Sequence, residues 1–174
     1  MKEDGAVKAR YRLLADKIIK NLIKRNFEAY YCDNAVEAAE KALSLIAKNS
    51  SVSWGGSVTL REIGLIDKVC QGGFTVIDRD KAVSAEDRYE LMRRALMADT
   101  YLTSFNAVSE DGVLVNVDGG GNRVAAIAFG PKSVVAVVGM NKVCKTAGDA
   151  AVRARTVAAP TNMQRFSTPD RRLG

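Results

Sequence analysis

The sequence predicts an α/β fold: a single Rossmann-like layered domain with a mostly parallel sheet, one β-hairpin and flanking helices. Helix-type and strand-type patterns alternate along most of the chain, which is typical of parallel sheets with crossover helices. Residues 133–138 form a β-branched run with almost no polar residue, as in a strand buried on both faces. The run Glu110-Asp111-Gly112 joins two short apolar segments and is typical of a hairpin turn.

The first part of the chain alternates helix and strand patterns. Residues 7–26 carry apolar side chains at spacings of three and four with Lys and Arg between them, which predicts an amphipathic helix. Residues 27–31 alternate as a short strand. Either Asp33 or Asn34 can cap a second helix that runs to about residue 48, and residues 52–54 follow as a strand.

The middle of the chain continues this alternation. Residues 58–63 predict a short helix, residues 64–73 a loop, and residues 74–78 a further strand. Ser84 is a predicted N-cap because acidic residues occupy the turn that follows it. The helix that it starts is expected to reach about Asp99.

The last third contains the hairpin and two helices. Residues 102–108 and 113–117 are its predicted strands. Residues 123–129 are Ala-rich and helix-compatible, and the following Gly-Pro pair is a stop signal. Residues 148–157 predict the last helix, which is expected to end at Pro160.

The bulk composition is that of one globular domain. The 174 residues are 47% hydrophobic and 26% charged, which is ordinary for a soluble protein with a real core. We expect one α/β domain over residues 1–166 and a basic C-terminal tail over residues 167–174. No run approaches a membrane span and the first residues lack an apolar centre, so the expected location is cytoplasmic.

The cysteine and histidine content excludes several kinds of site. Cys32, Cys70 and Cys144 lie far apart, which fits neither a disulfide framework nor a metal-ligand spacing. The chain has no histidine, so Ser-His-Asp and Cys-His catalysis are excluded. We therefore expect no metal site and no cofactor in this chain.

The net charge of +6 does not by itself indicate nucleic-acid binding. The basic residues are dispersed over the first helix and the C-terminal end, and no basic cluster interleaves aromatic side chains as stacking platforms. The prediction is a protein that does not bind nucleic acid.

A first candidate site follows the strand at residues 52–54. Gly55, Gly56, Ser57 and Thr59 stand between this strand and the start of a helix. Glycines there allow backbone N–H groups to face an anion, and the two hydroxyls add donors. The alternative is that Ser57 is only an N-cap and the glycines only form a tight turn.

A second candidate site is the polar and glycine-rich block around the hairpin. Its predicted ligand-binding residues are Asn106, Asn116, Asp118, Gly119, Gly120, Gly121, Asn122 and Arg123. Arg123 offers a rigid fork for a carboxylate or phosphate, and Glu110 is the predicted catalytic residue. The alternatives are that the amides are satisfied turn formers, that Arg123 is a surface residue, and that Glu110 is a solvated turn residue.

Three segments resemble the lactate-utilisation (LUD) domain family: SWGGSVTLREIGL, the block from YLTSFNAVSEDG to GMNK, and VAAPTNMQRF. The resemblance implies a fold like ribose-5-phosphate isomerase, glucosamine-6-phosphate deaminase and the CoA transferases. It implies an anion site at Gly55–Gly56–Ser57–Val58–Thr59, and it makes SEDG similar to the CoA-transferase motif whose glutamate is acylated. Family members include a component of a bacterial lactate-oxidation system.

Two functional classes follow from the residues and the resemblance. The first is a component of the oxidation of lactate to pyruvate that acts beside iron–sulfur partner subunits, without a cofactor of its own. The second is a CoA-transferase or sugar-phosphate isomerase type of enzyme, with Glu110 as nucleophile or base. In both classes the two glycine segments are expected at the carboxyl edge of the sheet, near one crevice that takes a small carboxylate or phosphate.

Overall fold

The computed structural model describes residues 5–166, and the expected tail at residues 167–174 lies outside them. The helices are α1 (Gly5–Ile23), α2 (Ala35–Ser44), α3 (Val58–Glu62), α4 (Leu65–Gln71), α5 (Ala85–Ala95), α6 (Asn122–Ala128), α7 (Ala147–Arg153) and α8 (Ala159–Phe166). The strands are β1 (Ser51–Trp54), β2 (Thr75–Ile77), β3 (Thr100–Thr103), β4 (Ala107–Ser109), β5 (Leu114–Val115), β6 (Ser133–Ala136) and β7 (Val143–Cys144). Short 3₁₀ turns occupy Arg79–Lys81 and Met140–Lys142, and a π-helical turn occupies Ala154–Ala158.

The main sheet has four strands in the order β2-β1-β3-β6, and every pairing in it is parallel. The layered α/β architecture with a mostly parallel sheet is therefore confirmed. Strand β3 lies in the interior of the sheet and all of its residues are buried, as expected where helices cover both faces.

Successive residues of β3 face two different apolar layers. Tyr101 packs with Ala95 of α5 and Ala126 of α6 on one face. Leu102 faces the larger layer, which α2, α3 and α4 cover on the opposite side of the sheet. The buried residues of that layer are Ala39, Ala42, Ile46, Val52, Trp54, Leu60, Leu65, Val69, Leu102 and Val135.

The predicted hairpin forms and belongs to a second, three-stranded sheet in the order β5-β4-β7. Strands β4 and β5 are antiparallel, whereas β4 and β7 are parallel. The prediction of one strand over residues 102–108 is wrong, because residues 104–106 carry the chain from the main sheet into this second sheet. Val143 and Cys144, after the 3₁₀ turn at Met140–Lys142, supply the edge strand β7.

Local signals at helix starts are confirmed. Asn34, Ser57 and Ser84 are the N-caps of α2, α3 and α5, and each side chain accepts a hydrogen bond from a backbone N–H three residues later. These predictions succeeded because a cap is decided within one turn of the chain.

Three other local predictions are wrong. Residues 27–31 form no strand, since no described strand lies beside them to pair with. The expected loop after Gly64 is helix α4, whose buried Leu65 and Val69 lie one turn apart. Pro160 does not end the last helix: it lies in the first turn of α8, where its missing N–H is tolerated.

Strand β6 is not buried on both faces. It is an edge strand of the main sheet, where Val135 is buried while Ser133, Val134 and Ala136 are exposed. Its apolar sequence is that of an interior strand, but its position in the sheet depends on the whole topology. Among the described residues no helix combines the length and apolar character needed to cross a bilayer.

Candidate functional site

The loops after β1 and β3 border a cleft at the carboxyl edge of the main sheet. After β1 the chain enters α3 on one face of the sheet, whereas after β3 and the hairpin it reaches α6 on the other face. Neighbouring parallel strands with connections on opposite faces leave a crevice between their ends. The backbone N–H of Gly55 donates to the carbonyl of Leu102 over 3.1 Å, which ties the two strand ends together.

The structure brings the two predicted glycine segments together at this cleft. A Cβ atom on Gly55 would lie 3.0 Å from Cδ of Arg123 and 3.1 Å from the hydroxyl of Tyr101. The side chain of Arg123 therefore rests on the backbone of the first segment. Gly119 and Gly120 of the second segment also line the cleft. Their role in binding a ligand stays a prediction.

Most guanidinium N–H groups of Arg123 donate hydrogen bonds to acceptors within the protein. Its Nε donates to Asp118 Oδ1 over 2.7 Å, and its Nη1 donates to the carbonyl of Ser104 over 3.0 Å. Its Nη2 donates to Asn106 Oδ1 and to the carbonyl of Val117, over 3.1 and 3.0 Å. The side chain of Arg123 is only 13% exposed. This geometry makes Arg123 a brace between the ends of β3 and β5 and the start of α6.

Asp118 and Asn106 are likewise engaged within the protein. Asp118 Oδ2 accepts from the backbone N–H of Val124 over 2.8 Å, in the first turn of α6. Asn106 Oδ1 also accepts from the backbone N–H of Val117, over 2.7 Å. Both side chains shape the rim of the cleft, as satisfied turn residues do.

The other residues of the second segment are less engaged. Gly121 is the N-cap residue of α6, and Asn122 is its first helical residue and lines the cleft. Asn116 carries a buried side-chain oxygen that has no hydrogen-bond partner in the described part of the chain. Asn116 directly precedes Val117, whose backbone contacts both Asn106 and Arg123, so it lies next to this group of residues in the chain.

Glu110 lies at the far end of the hairpin, against α1. Its Oε2 accepts from Lys17 Nζ over 2.6 Å and from Lys145 Nζ over 3.1 Å. Its backbone carbonyl accepts from Asn21 Nδ2 over 2.8 Å. The hydrogen bond from Lys17, followed by that from Lys145, holds the pKa of Glu110 below its ordinary 4.5. Glu110 does not line the cleft, so the structure does not bring it together with the glycine segments.

Lys142 is a cleft residue that the sequence reasoning missed. Its Nζ donates to Thr59 Oγ1 over 2.9 Å and to Ser104 Oγ over 2.8 Å. Burial, followed by the positive charges of Arg153 and Arg123, lowers the pKa of Lys142 from 10.5 to about 8. The available signal was a lysine shortly after the apolar run at residues 133–138.

Arg79 is the second missed residue, from the 3₁₀ turn after β2. Its guanidinium lies so close to the backbone of Gly56 that a Cβ there would be 2.7 Å from Nη2. Its Nη1 donates to the sulfur of Met92 over 3.5 Å, a weak acceptor. Its Nε is buried without a hydrogen-bond partner in the described residues, although Asp80 Oδ1 lies 4.0 Å away. Arg79 thus retains donor capacity that the protein does not use.

The cleft as a whole is cationic. Arg79, Lys142 and Arg153 line it, whereas the carboxylate of Asp118 is paired with Arg123. Tyr101, whose hydroxyl lies beside Gly55, stays protonated because burial raises its pKa to about 12. The arrangement can hold a small anion, with a protonated phenol and an amine of unusually low pKa nearby.

Comparisons with known proteins agree with this architecture. The sequence model of the LUD domain matches residues 15–171. A DUF162 family protein from Deinococcus radiodurans, known from its crystal structure, is similar with a TM-score of 0.51 at 15% identity, over 90% of this chain and 84% of that chain. No curated protein matches this sequence. Since the family match spans most of the chain, the protein belongs to the LUD domain family.

Proposed function

We propose that this LUD-domain protein is a component of bacterial lactate utilisation, the oxidation of lactate to pyruvate, acting with iron–sulfur partner subunits. Membership of the family supports this role. Within it, the chain contributes a binding site for the small carboxylate at the cleft between β1 and β3. Electron transfer belongs to the partner subunits in this proposal.

The observation that carries the proposal is the unused donor capacity of Arg79. Nη2 of Arg79 borders the backbone of Gly56 and donates no hydrogen bond within residues 5–166, whereas Nε is buried beyond the reach of a ligand. A carboxylate matches the planar donor fork of arginine and forms charge-assisted hydrogen bonds with it. Lys142 and Arg153 add positive charge to the same cleft. A small acid therefore complements the site, because its carboxylate adds a negative charge and further acceptors beside these cations.

The proposal is tested by growth of the source bacterium on lactate. Deleting the gene is expected to abolish growth on lactate while growth on a sugar continues. Complementation by the native chain restores growth, and complementation by Arg79→Met does not. The matched control is Arg94→Met, because Arg94 is exposed on α5 and lies outside the cleft.

The same growth experiment distinguishes this proposal from the hypothesis of an enzyme that uses Glu110 as nucleophile or base. Glu110→Gln keeps the shape of the side chain and removes its charge, and we expect it to support growth on lactate. If Glu110→Gln has the same melting temperature as the native chain but does not support growth on lactate, this result contradicts the proposal and favours a catalytic role of Glu110. Growth on lactate after deletion of the gene also contradicts it.

A further inference from the structure

Lys142 has an environment that a merely structural lysine does not need. Lys142 is partly buried, and lysines that lose contact with water are usually paired with a carboxylate. The two hydrogen-bond partners of Lys142 Nζ are instead the hydroxyls of Thr59 and Ser104. Within residues 5–166 no carboxylate oxygen forms an ion pair with it, and Glu62 acts only as a more distant negative charge.

We propose that Lys142 is the reactive group of the cleft, and that its amine condenses with the carbonyl of a bound 2-oxo acid to form an imine. This inference rests on the proposed function, since the small-acid site is what brings the carbonyl to the amine. It identifies the ligand class as an acid with a carbonyl, pyruvate rather than lactate.

The amine is prepared for this reaction by its surroundings. Lysines become nucleophilic when they are desolvated or placed beside other cations. Both conditions hold at Lys142, which is partly buried and lies near Arg153. The lowered pKa makes the neutral amine about 300-fold more abundant at pH 7 than for a lysine with a pKa of 10.5.

The remaining groups supply what the condensation needs. The lone pair of the neutral amine forms the C–N bond and the carbonyl oxygen takes a proton. The C–O bond then breaks and the oxygen leaves as water, so the protonated imine carries the same charge as the original ammonium. The hydroxyls of Thr59 and Ser104, both within hydrogen-bond distance of Nζ, can relay these protons. Nη2 of Arg79, beside Gly56, remains available for the carboxylate of the acid.

The imine is tested by reductive trapping. The native chain is incubated with pyruvate and sodium cyanoborohydride at pH 7, and the modified lysines are identified by peptide mass spectrometry. We expect the reduced adduct at Lys142, at least about 10-fold above that at Lys132, because Asp99 raises the pKa of Lys132 and keeps it charged. Lactate in place of pyruvate is the control, since it has no carbonyl and yields no adduct.

Calorimetric titration of pyruvate and lactate without reductant distinguishes failure of the imine from failure of the proposed function. If pyruvate binds and Lys142 stays unmodified, or if the adducts are equal at Lys132 and Lys142, the imine is wrong while the proposed function stands. If lactate binds and pyruvate does not, the imine alone is wrong, and if neither acid binds, both fail. Lys142→Arg keeps a cation but has no amine that can form an imine, and it is expected to lose the adduct at this position while the level at Lys132 stays the same. Its thermal unfolding is compared with that of the native chain to establish that it folds.

Discussion

At the scale of single residues, the chemistry of the cleft depends on which charged groups are already paired. Arg123 was the obvious ligand for an anion from its sequence, because it follows a glycine-rich turn. Four of its five N–H donors are used by Asp118, Asn106 and two backbone carbonyls. Arg79 lies in an unremarkable polar segment of the sequence, yet it keeps an unpartnered donor. Pairing is a property of the folded chain, so sequence alone could not rank these two arginines.

Lys142 is expected to titrate well below other lysines. Burial and the charges of Arg153 and Arg123 disfavour its charged form, so its amine becomes neutral through about pH 8. Acylation of the chain at pH 6 to 11, followed by peptide mass spectrometry, measures this midpoint. Arg153→Met removes a neighbouring positive charge and is expected to move the midpoint of Lys142 upward. A native midpoint equal to that of Lys132 contradicts this description of the cleft.

At the scale of elements, the hairpin between β4 and β5 is locked onto α1. Gly112 has a φ of +82°, and a Cβ there would lie 3.1 Å from the backbone carbonyl carbon of Asn21 in α1. Both the left-handed backbone and the close approach require glycine. The hairpin was predictable because its Asp-Gly pair is a local turn signal, whereas the packing of α1 against it was not.

Gly112→Ala is expected to lower the free energy of unfolding by roughly 1–3 kcal/mol, because alanine is strained at this φ and meets α1. Chemical denaturation measures the change. Gly119→Ala is the matched control: a Cβ there has no atom within 4 Å, and we expect a change within about 0.5 kcal/mol. Equal effects of the two substitutions contradict the close contact between the hairpin and α1.

Asp99 joins the starts of two neighbouring strands. It accepts from Lys132 Nζ and from the backbone N–H and hydroxyl of Ser51. The hydrogen bond from Lys132, followed by those from Ser51, holds the pKa of Asp99 far below its ordinary 3.8. The carboxylate thus stabilises the fold above pH 4, and this contribution is lost as the pH falls below 4.

Asp99→Asn is expected to lower the melting temperature at pH 6. We also expect the melting temperature of the variant to decrease less between pH 5 and pH 3 than that of the native chain. The sign follows because at low pH the unfolded chain binds a proton that the folded chain does not. Thermal unfolding as a function of pH gives the comparison, with Asp16→Asn on the exposed surface of α1 as control. A variant whose pH profile parallels the native one shows that Asp99 contributes nothing.

At the scale of the whole molecule, the fold class was predictable and the site only in part. Alternating helix and strand patterns sufficed for the layered α/β architecture, and the family resemblance is confirmed. The break within residues 102–108 and the edge position of β6 were not predictable, because both depend on which strands become neighbours. The same limit hid Lys142, whose burial arises from loops that are distant in sequence.

The cleft depends on features at all three scales. The topology places the ends of β1 and β3 together, the brace of Arg123 fixes the loops around them, and Arg79 and Lys142 supply charge without full pairing. Glu110 stands apart on the hairpin, held by two lysines. The central claim is therefore that the cleft between β1 and β3, and not the hairpin turn, binds a small acid.

The most direct test is calorimetric titration of pyruvate, lactate and phosphate into the native chain, Arg79→Met and Arg94→Met. We expect one of the two carboxylates to bind the native chain and Arg94→Met equally, and Arg79→Met about 10- to 100-fold more weakly, as loss of a charge-assisted hydrogen bond costs roughly 1.5–3 kcal/mol. Equal affinity in all three proteins, or no binding of either carboxylate, contradicts the assignment of this cleft.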